Sequence, residues 1–330
     1  MEIQPVVGPQ VNALSVGEPI HHLIITGSNG FVGQAFMDFI RMLPRKHRPR
    51  KITLISRAPQ SSYKLGDLKD FVTYISADLT KIWNFSIPGA YLLNLAADGS
   101  ANSYELFAAQ SFELINTNLV NWAKLNSPQK IIHASSGACF GIKPLVLNGL
   151  ANNSKMTSSE TKKRFIESRL FAEQSLQKLW ADHGIPILIC RLYSFVGIRL
   201  LAKKQYAISS FIDSAVRERQ ILVKGNPETV RSFLNERDMS AWLWSALNTT
   251  PTTEILSIGS NRGVTLGELA NFIAMQTDSR VILQEPNAFG DEYVANNFMT
   301  QKHLNVSESK LWEESTIECI DFLKGKHGRG

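Results

Sequence analysis

Short, almost entirely apolar runs alternate with longer amphipathic segments in this 330-residue chain, and this alternation restricts its fold more than any other feature. The strand-length runs are residues 23–25, 52–55, 72–75, 91–95, 130–132 and 185–189. Runs that are apolar on both faces are typical of a parallel sheet covered by helices. Segments 31–42, 102–124 and 160–183 have the helical pattern that supplies this cover. The pattern therefore predicts an α/β fold with a doubly wound parallel sheet.

A glycine-rich turn follows the first apolar run and leads directly into the first helical segment. Gly27 allows a tight turn, Gly30 lets the backbone approach a pyrophosphate, and Gly33 lets the helix pack against the strand. Amide groups at the start of the helix then meet the phosphate charge. The turn predicts dinucleotide binding rather than a purely structural connection. The residues expected to hold the cofactor here are Gly27, Ser28, Asn29, Gly30, Phe31, Val32 and Gly33.

The glycine spacing resembles that of the short-chain dehydrogenase/reductase superfamily, and the chain length resembles its extended branch of NAD-dependent epimerases and dehydratases. The resemblance covers nearly all of residues 20–325 and implies a Rossmann domain, a smaller C-terminal cap and a nucleotide-sugar substrate. It also implies a homodimer formed by helices 102–124 and 160–183, whose apolar residues include Leu170, Phe171 and Leu176. The further cofactor positions that it implies are Asp78, Leu79, Ala96, Ala97, Asn116 and Ser135.

The chain then divides into three predicted parts. Residues 1–19 form an N-terminal extension, and residues 20–197 form the dinucleotide-binding domain, with returning sheet elements at 231–260. Residues 198–230 and 261–330 form the substrate-binding cap, because the alternation loosens after Arg191. A cleft between the sheet and the cap is the natural place for a ligand.

The end of the second strand decides the form of the cofactor. An acidic residue there would accept hydrogen bonds from the adenosine ribose, whereas an arginine would pair with a 2′-phosphate. The sequence has Ser56 and Arg57 at this place, which predicts a preference for NADP(H), with NAD(H) as the alternative.

The catalytic helix departs from the family pattern of a tyrosine followed four residues later by a lysine. Phe165 and Arg169 occupy these positions, while Ser136 matches the family serine. Phenylalanine cannot transfer a proton, although Arg169 could still hold the nicotinamide ribose. Three hypotheses stay open. The first is an enzyme whose substrate needs only hydride transfer or whose acid–base chemistry comes from another group. The second is slow catalysis by Ser136 with water, and the third is an NAD(P)-binding sensor or partner subunit without turnover. The other candidate groups are Thr161, Lys162, His133 and Tyr193.

The substrate side rests mainly on Arg231, which matches the place where the family clamps a diphosphate. Asp98, Ser136 and Ser194 are expected to line the cleft. Asn287 and Ala288 stand where further arginines often occur in the family, which leaves room for a less charged ligand. We expect reduction, epimerisation or dehydration of a nucleotide-linked sugar or a similar polyhydroxy substrate.

The net charge of +6 is local, because the run from Arg41 to Lys51 carries six positive charges. We expect this run to form a solvated loop at the adenosine end of the cofactor site, and we expect no nucleic-acid partner. Three cysteines without metal-ligand spacing predict a reduced, cytoplasmic setting and no metal. An apolar stretch of roughly 20 residues, as needed to cross a bilayer, is missing, so no membrane partner is expected.

Overall fold

The computed structural model describes residues 20–58, 65–97, 106–140, 143–144, 160–285 and 290–327, so the extension predicted at residues 1–19 lies outside them. The strands are β1 (His22–Thr26), β2 (Lys51–Ser56), β3 (Val72–Ser76), β4 (Tyr91–Asn94), β5 (Lys130–Ser136), β6 (Lys143–Pro144), β7 (Ile187–Leu192), β8 (Ser194–Val196), β9 (Gln220–Val223), β10 (Val230–Asn235), β11 (Leu256–Ile258), β12 (Gly263–Thr265), β13 (Arg280–Leu283) and β14 (Asp291–Tyr293). The helices are α1 (Phe31–Met42), α2 (Leu106–Asn126), α3 (Glu160–His183), α4 (Ala207–Glu218), α5 (Glu236–Asn248), α6 (Leu266–Thr277), α7 (Phe298–Leu304) and α8 (Trp312–His327).

A seven-stranded parallel sheet in the order β11-β7-β5-β4-β1-β2-β3 forms the centre of the molecule. Neighbouring residues of one strand face opposite layers: Ile25 packs with α1 and α5, whereas Ile24 packs with α2 and α3. Both faces are thus buried, which is why the strands are apolar throughout. The predicted doubly wound Rossmann fold is confirmed. The order reverses between β1 and β4, and ligands bind at the carboxyl ends of the strands at such a point.

A second apolar cluster lies outside this sheet. It packs α4 against α6 and α8, and it includes Phe211, Ile273 and Ile320. A mixed sheet accompanies it, in which β10 pairs with β8, β12 and β14, and a separate two-stranded sheet pairs β9 with β13. Residues 198–230 and 261–330 supply most of this cluster, but the division into domains at these residues stays a prediction.

The limits of some elements differ from the predicted ones for physical reasons. The sixth run was expected at 185–189, yet β7 covers Ile187–Leu192. Pro186 has no N–H for the sheet, although its carbonyl accepts a hydrogen bond from Ile131. The strand continues through Arg191 because Glu173 pairs with its charge inside the protein. The helix expected at 102–124 is described from Leu106 to Asn126.

The basic run does not lie at the adenosine end of the cofactor site, so that expectation is wrong. α1 begins at the glycine turn and leads away from it, and the connection to β2 therefore lies at the opposite edge of the sheet. Arg48 donates to the carbonyls of Leu43 and Arg41 and pairs with Asp67 at 2.7 Å. Arg48 thus satisfies carbonyl groups at the C-terminal end of α1, where the helix dipole favours a positive charge.

Candidate functional site

The turn between β1 and α1 has the geometry of a phosphate-binding loop. Gly27 has a φ of +63°, and a Cβ there would lie 2.5 Å from the carbonyl oxygen of Leu95. A Cβ on Gly33 would lie 2.5 Å from the carbonyl oxygen of Ser28, so the helix could not approach the turn this closely. The N–H of Gly30 donates to the carbonyl of Gly27 at 2.9 Å and tightens the turn. The backbone thus requires glycine at positions 27 and 33, whereas a Cβ on Gly30 would lie 3.2 Å from the carbonyl oxygen of Gly27.

The start of α1 fits a pyrophosphate. Among the described side chains none caps this helix, and its first turn has no acidic residue. The free N–H groups and the positive end of the helix dipole therefore favour an anion. The side chain of Asn29 instead donates to the carbonyl of Ala58 at 2.6 Å, while Ser28 is buried and Phe31 packs 6.0 Å from the Phe195 ring. These three side chains fix the turn, and its backbone faces the ligand.

Arg57 and Asp78 come together at the carboxyl ends of β2 and β3. Hydrogen bonds from Thr80 lower the pKa of the Asp78 carboxyl, and the charge of Arg57 lowers it further. Arg57 is exposed and stands at the place where an adenosine ribose would lie in this fold.

Leu79 is buried in the core, and its carbonyl accepts from the indole N–H of Trp83. Ala96 is buried, whereas Ala97 is exposed.

A buried polar chain supports the floor of the cleft. Thr26 donates to Asn94 at 2.6 Å, and Asn94 in turn contacts His133 Nδ1 at 3.0 Å and donates to Asn116 at 3.4 Å. Burial lowers the pKa of His133 to about 4, so its ring is neutral at physiological pH. Asn116 is fully buried, and its amide donates to Phe112. Asn116 thus positions Asn94, and its contact with the cofactor stays a prediction.

Phe165 and Arg169, which stand on α3 at the tyrosine and lysine positions of the family, stack against each other. The guanidinium carbon of Arg169 lies 3.9 Å from the ring centroid of Phe165 and 3.8 Å from that of Phe112. Its Nη1 donates to the hydroxyl of Ser168 at 2.9 Å. Both Phe165 and Arg169 are buried. The contact of Arg169 with the nicotinamide ribose stays a prediction.

A buried ion pair lies one turn further along α3. Glu173 accepts two hydrogen bonds from Arg191, at 2.9 and 2.6 Å, and a third from the hydroxyl of Ser135 at 2.5 Å. The Ser135 hydroxyl thus donates to Glu173, and the contact of Ser135 with the cofactor stays a prediction. We did not identify Glu173 from the sequence, although its place four residues after Arg169 puts both on one helix face.

Ser136 and Tyr193 are neighbours at the ends of β5 and β7. The Ser136 hydroxyl accepts from the N–H of Ala138 at 3.2 Å and is half-buried. A Cβ on Gly137 would lie 2.6 Å from the Tyr193 ring, so the ring is seated against the residue after Ser136. Burial raises the pKa of Tyr193, and its hydroxyl bonds to Ser257. We therefore interpret Tyr193 as a residue that lines the cleft. Its hydroxyl is a poor proton acceptor because it stays protonated.

Charged groups of the substrate side meet at the first turn of α3. Arg231 lies 2.7 Å from the carboxylate of Asp291, and Lys162 is close enough for both charges to shift its pKa. Ser194 is half-buried in β8, opposite Phe233. Asp98, Asn287 and Ala288 lie outside the described residues, and the same is true of the Thr161 side chain.

The described ranges contain no group of three or more His, Cys, Asp or Glu side chains arranged to hold a metal ion. None of the helices within those ranges has the length and apolar character needed to cross a membrane.

Comparison with known proteins places these features in context. The model of the NAD dependent epimerase/dehydratase family matches residues 23–259. A UDP-N-acetyl-alpha-D-glucosaminuronate decarboxylase of Bacillus cytotoxicus is 27% identical over 237 residues, which are 65% of this chain and 71% of that protein.

Solved structures agree in fold. UDP-glucose 4-epimerase of Thermotoga maritima with UDP-glucose superposes with a TM-score of 0.74 at 17% identity and covers 93% of this chain and 99% of its own. UDP-glucuronic acid 4-epimerase of Bacillus cereus superposes with a TM-score of 0.72 at 16% identity, and the match covers 92% of this chain and 99% of the epimerase. The latter is a tyrosine-to-phenylalanine mutant in complex with UDP-4-deoxy-4-fluoro-glucuronic acid and NAD.

Proposed function

Since the chain belongs to the NAD-dependent epimerase/dehydratase family, we propose that it binds NAD(P) at the glycine turn and acts on a nucleotide-linked sugar. The observation that carries the proposal is the turn itself, where the backbone at Gly27 and Gly33 has no room for a side chain. The relatives with UDP-sugar names, together with the cations of the cleft, support the choice of substrate class.

The nicotinamide, when bound, supplies hydride transfer to and from a sugar carbon. The residues of this chain must then handle the proton of the sugar hydroxyl. The ring of Phe165 is buried against Arg169 and carries no exchangeable proton. Ser136 is the half-buried hydroxyl at the family position, and we propose that it passes the proton to a water in the cleft. Such a route lacks a phenolate and is therefore slow.

Turnover of candidate nucleotide sugars, followed by the absorbance of the reduced cofactor, tests this mechanism. We expect slow turnover by the wild type and a loss of about tenfold or more in Ser136→Ala, because general acid–base catalysis contributes roughly 10²–10⁴-fold. The double variant Phe165→Tyr, Arg169→Lys should be faster than the wild type. Phe298→Tyr is the control, since Phe298 is exposed on α7 and belongs neither to the site nor to α2 or α3.

The same variants separate catalysis from binding. Unchanged turnover in Ser136→Ala would contradict the role of Ser136. Activity in the double variant alone would favour a binding protein without turnover, which the stacked Phe165 and Arg169 also favour. The structure of a relative in complex with a UDP-sugar analogue and NAD is that of a tyrosine-to-phenylalanine mutant, which supports intact ligand binding in such a background.

We also propose that NADP(H) binds more tightly than NAD(H), because Arg57 is exposed beside Asp78 at the carboxyl edge. Titration of both reduced cofactors, followed by nucleotide fluorescence, measures the preference. Arg57→Ser should weaken NADPH and leave NADH nearly unchanged, whereas Arg45→Ser is a control at the opposite edge of the sheet. Tighter binding of NADH to the wild type would refute the proposal.

A homodimer through α2 and α3 is the proposed assembly. Leu176 belongs to the core, the second role open to it from the sequence, because it is fully buried. Phe171 on α3 and Leu114 on α2 are exposed apolar side chains, so they are available to a second copy. Sedimentation should show a dimer for the wild type and a monomer for Phe171→Glu.

A further inference from the structure

Positive charge is concentrated at the edge of the central sheet that lies opposite to the glycine turn. The starts of neighbouring strands meet there, since the N–H of Lys51 donates to the carbonyl of His21 and that of Ile52 donates to the carbonyl of Phe71. Two segments lead into these strand starts, residues 41–51 at β2 and residues 66–71 at β3. We call these two segments the basic edge, because together they hold seven lysine and arginine side chains and only two aspartates.

The aspartates do not neutralise the basic edge. Asp67 is already paired with Arg48 at 2.7 Å and lies 3.6 Å from Arg45. Four further cations of this edge are exposed and form no ion pair with any residue that the structure describes, namely Lys46, Arg50, Lys51 and Lys69. The basic edge therefore keeps a positive potential that an anionic partner would compensate.

Exposed apolar side chains lie at the same edge of the sheet. Met42, the last residue of α1, is 55% exposed, and Phe71, directly before β3, is 47% exposed. Leu125 is 85% exposed at the end of α2, where the carbonyl of Asn126 accepts from the N–H of Gly89 just before β4. Because β3 and β4 are three strand spacings of about 4.8 Å apart, the apolar side chains are spread over about 14 Å of this edge.

A flat anionic lipid surface accommodates both kinds of side chain. Each lysine or arginine near such a surface strengthens binding about fivefold, and apolar side chains enter the boundary between the headgroups and the acyl chains. A purely ionic partner would leave Met42, Phe71 and Leu125 in water. The glycine turn lies at the opposite edge of the sheet, so the cofactor site stays open to solvent when the basic edge is covered.

We propose that the basic edge binds an anionic lipid surface, with Met42, Phe71 and Leu125 at the boundary between the headgroups and the acyl chains. This contact is peripheral and needs no spanning helix. It revises the expectation of no membrane partner, which depended on the lack of a long apolar stretch in the sequence. The contact is independent of the reaction proposed for the cleft.

Sedimentation of the full chain with lipid vesicles tests the charged part of the contact. The wild type should bind vesicles made of equal parts phosphatidylcholine and phosphatidylglycerol, but not vesicles of phosphatidylcholine alone, and added salt should weaken binding because it screens exposed charges. Arg50→Gln, Lys51→Gln should weaken binding about 25-fold, since each lost cation costs a factor of about five. The matched control Lys224→Gln, Lys324→Gln removes two exposed cations outside this edge and should bind like the wild type.

The apolar part of the contact is tested separately. Leu125→Ser should weaken binding to the anionic vesicles about tenfold, because the leucine side chain no longer leaves water. Met275→Ser is the control, since Met275 is 74% exposed on α6 and belongs to the second apolar region of the fold. Melting temperatures equal to that of the wild type verify that these variants are folded.

Four outcomes would overturn the proposal. The first is a wild type that does not bind the anionic vesicles, and the second is equal binding to both kinds of vesicle. The third is an equal effect of Arg50→Gln, Lys51→Gln and of its control, or of Leu125→Ser and of its control. The fourth is binding of duplex DNA that depends on Arg50 and Lys51 without binding of vesicles, which would identify a nucleic acid as the partner.

Discussion

The buried ion pair between Glu173 on α3 and Arg191 on β7 should contribute strongly to the stability of the folded protein. Its partners are only 3% and 7% exposed, and the contact is bidentate. Glu173→Ala leaves the guanidinium of Arg191 buried without its carboxylate and also removes the acceptor of Ser135. Removal of one partner of such a pair costs about 3–5 kcal/mol, because an uncompensated charge stays inside the protein.

The loss should be visible in the melting temperature. At roughly 2 °C per kcal/mol for a chain of this size, Glu173→Ala should melt about 6–10 °C below the wild type. The double variant Glu173→Leu, Arg191→Met removes both charges and should recover most of the loss, since apolar replacement of a complete pair is often neutral. Asp182→Ala, which breaks an exposed pair with Lys178 on the same helix, should leave the melting temperature unchanged.

Scanning calorimetry of these four proteins, together with the single variants Glu173→Leu and Arg191→Met that complete the cycle, checks the reasoning. The decisive quantity is the coupling between positions 173 and 191, which the cycle of single and double variants isolates. A double variant that melts as low as Glu173→Ala would refute the argument. The loss would then come from packing or from Ser135 and not from the unpaired charge of Arg191.

Three further outcomes follow from the described contacts. Gly33→Ala should weaken the reduced cofactor at least tenfold in a fluorescence titration, because the new Cβ meets the backbone of Ser28, while Gly225→Ala has open space and should bind normally. Burial raises the pKa of Glu236 to about 7, so the folded state binds more protons than the unfolded state between pH 4.5 and 7. The stability of the wild type relative to Glu236→Gln should therefore fall as the pH rises through this range in urea unfolding, and a flat difference would contradict the shift. Lys130→Met should lower the urea midpoint, since the buried Lys130 donates to the carbonyls of Ala246 and Leu247.

The sequence by itself determined the fold and the position of the glycine turn. Apolar runs such as residues 23–25 have no polar face, and only a sheet covered on both sides accepts them. The turn could also be located because its residues are contiguous, so that strand, glycines and helix start are written in order. The replacement of tyrosine and lysine by Phe165 and Arg169 was likewise visible, since both belong to one helix.

The tertiary structure decided which polar residues face the cleft and which are buried and form hydrogen bonds to other buried side chains. Asn116 and Ser135 match the cofactor positions of the family, yet the Asn116 side chain accepts a hydrogen bond from Asn94 and the Ser135 hydroxyl donates one to Glu173. Arg231 and Asp291 are 60 residues apart, and only the tertiary structure brings their side chains to 2.7 Å from each other. Hydrophobic periodicity reports burial along one element, whereas hydrogen bonds and charge balance depend on partners from distant elements.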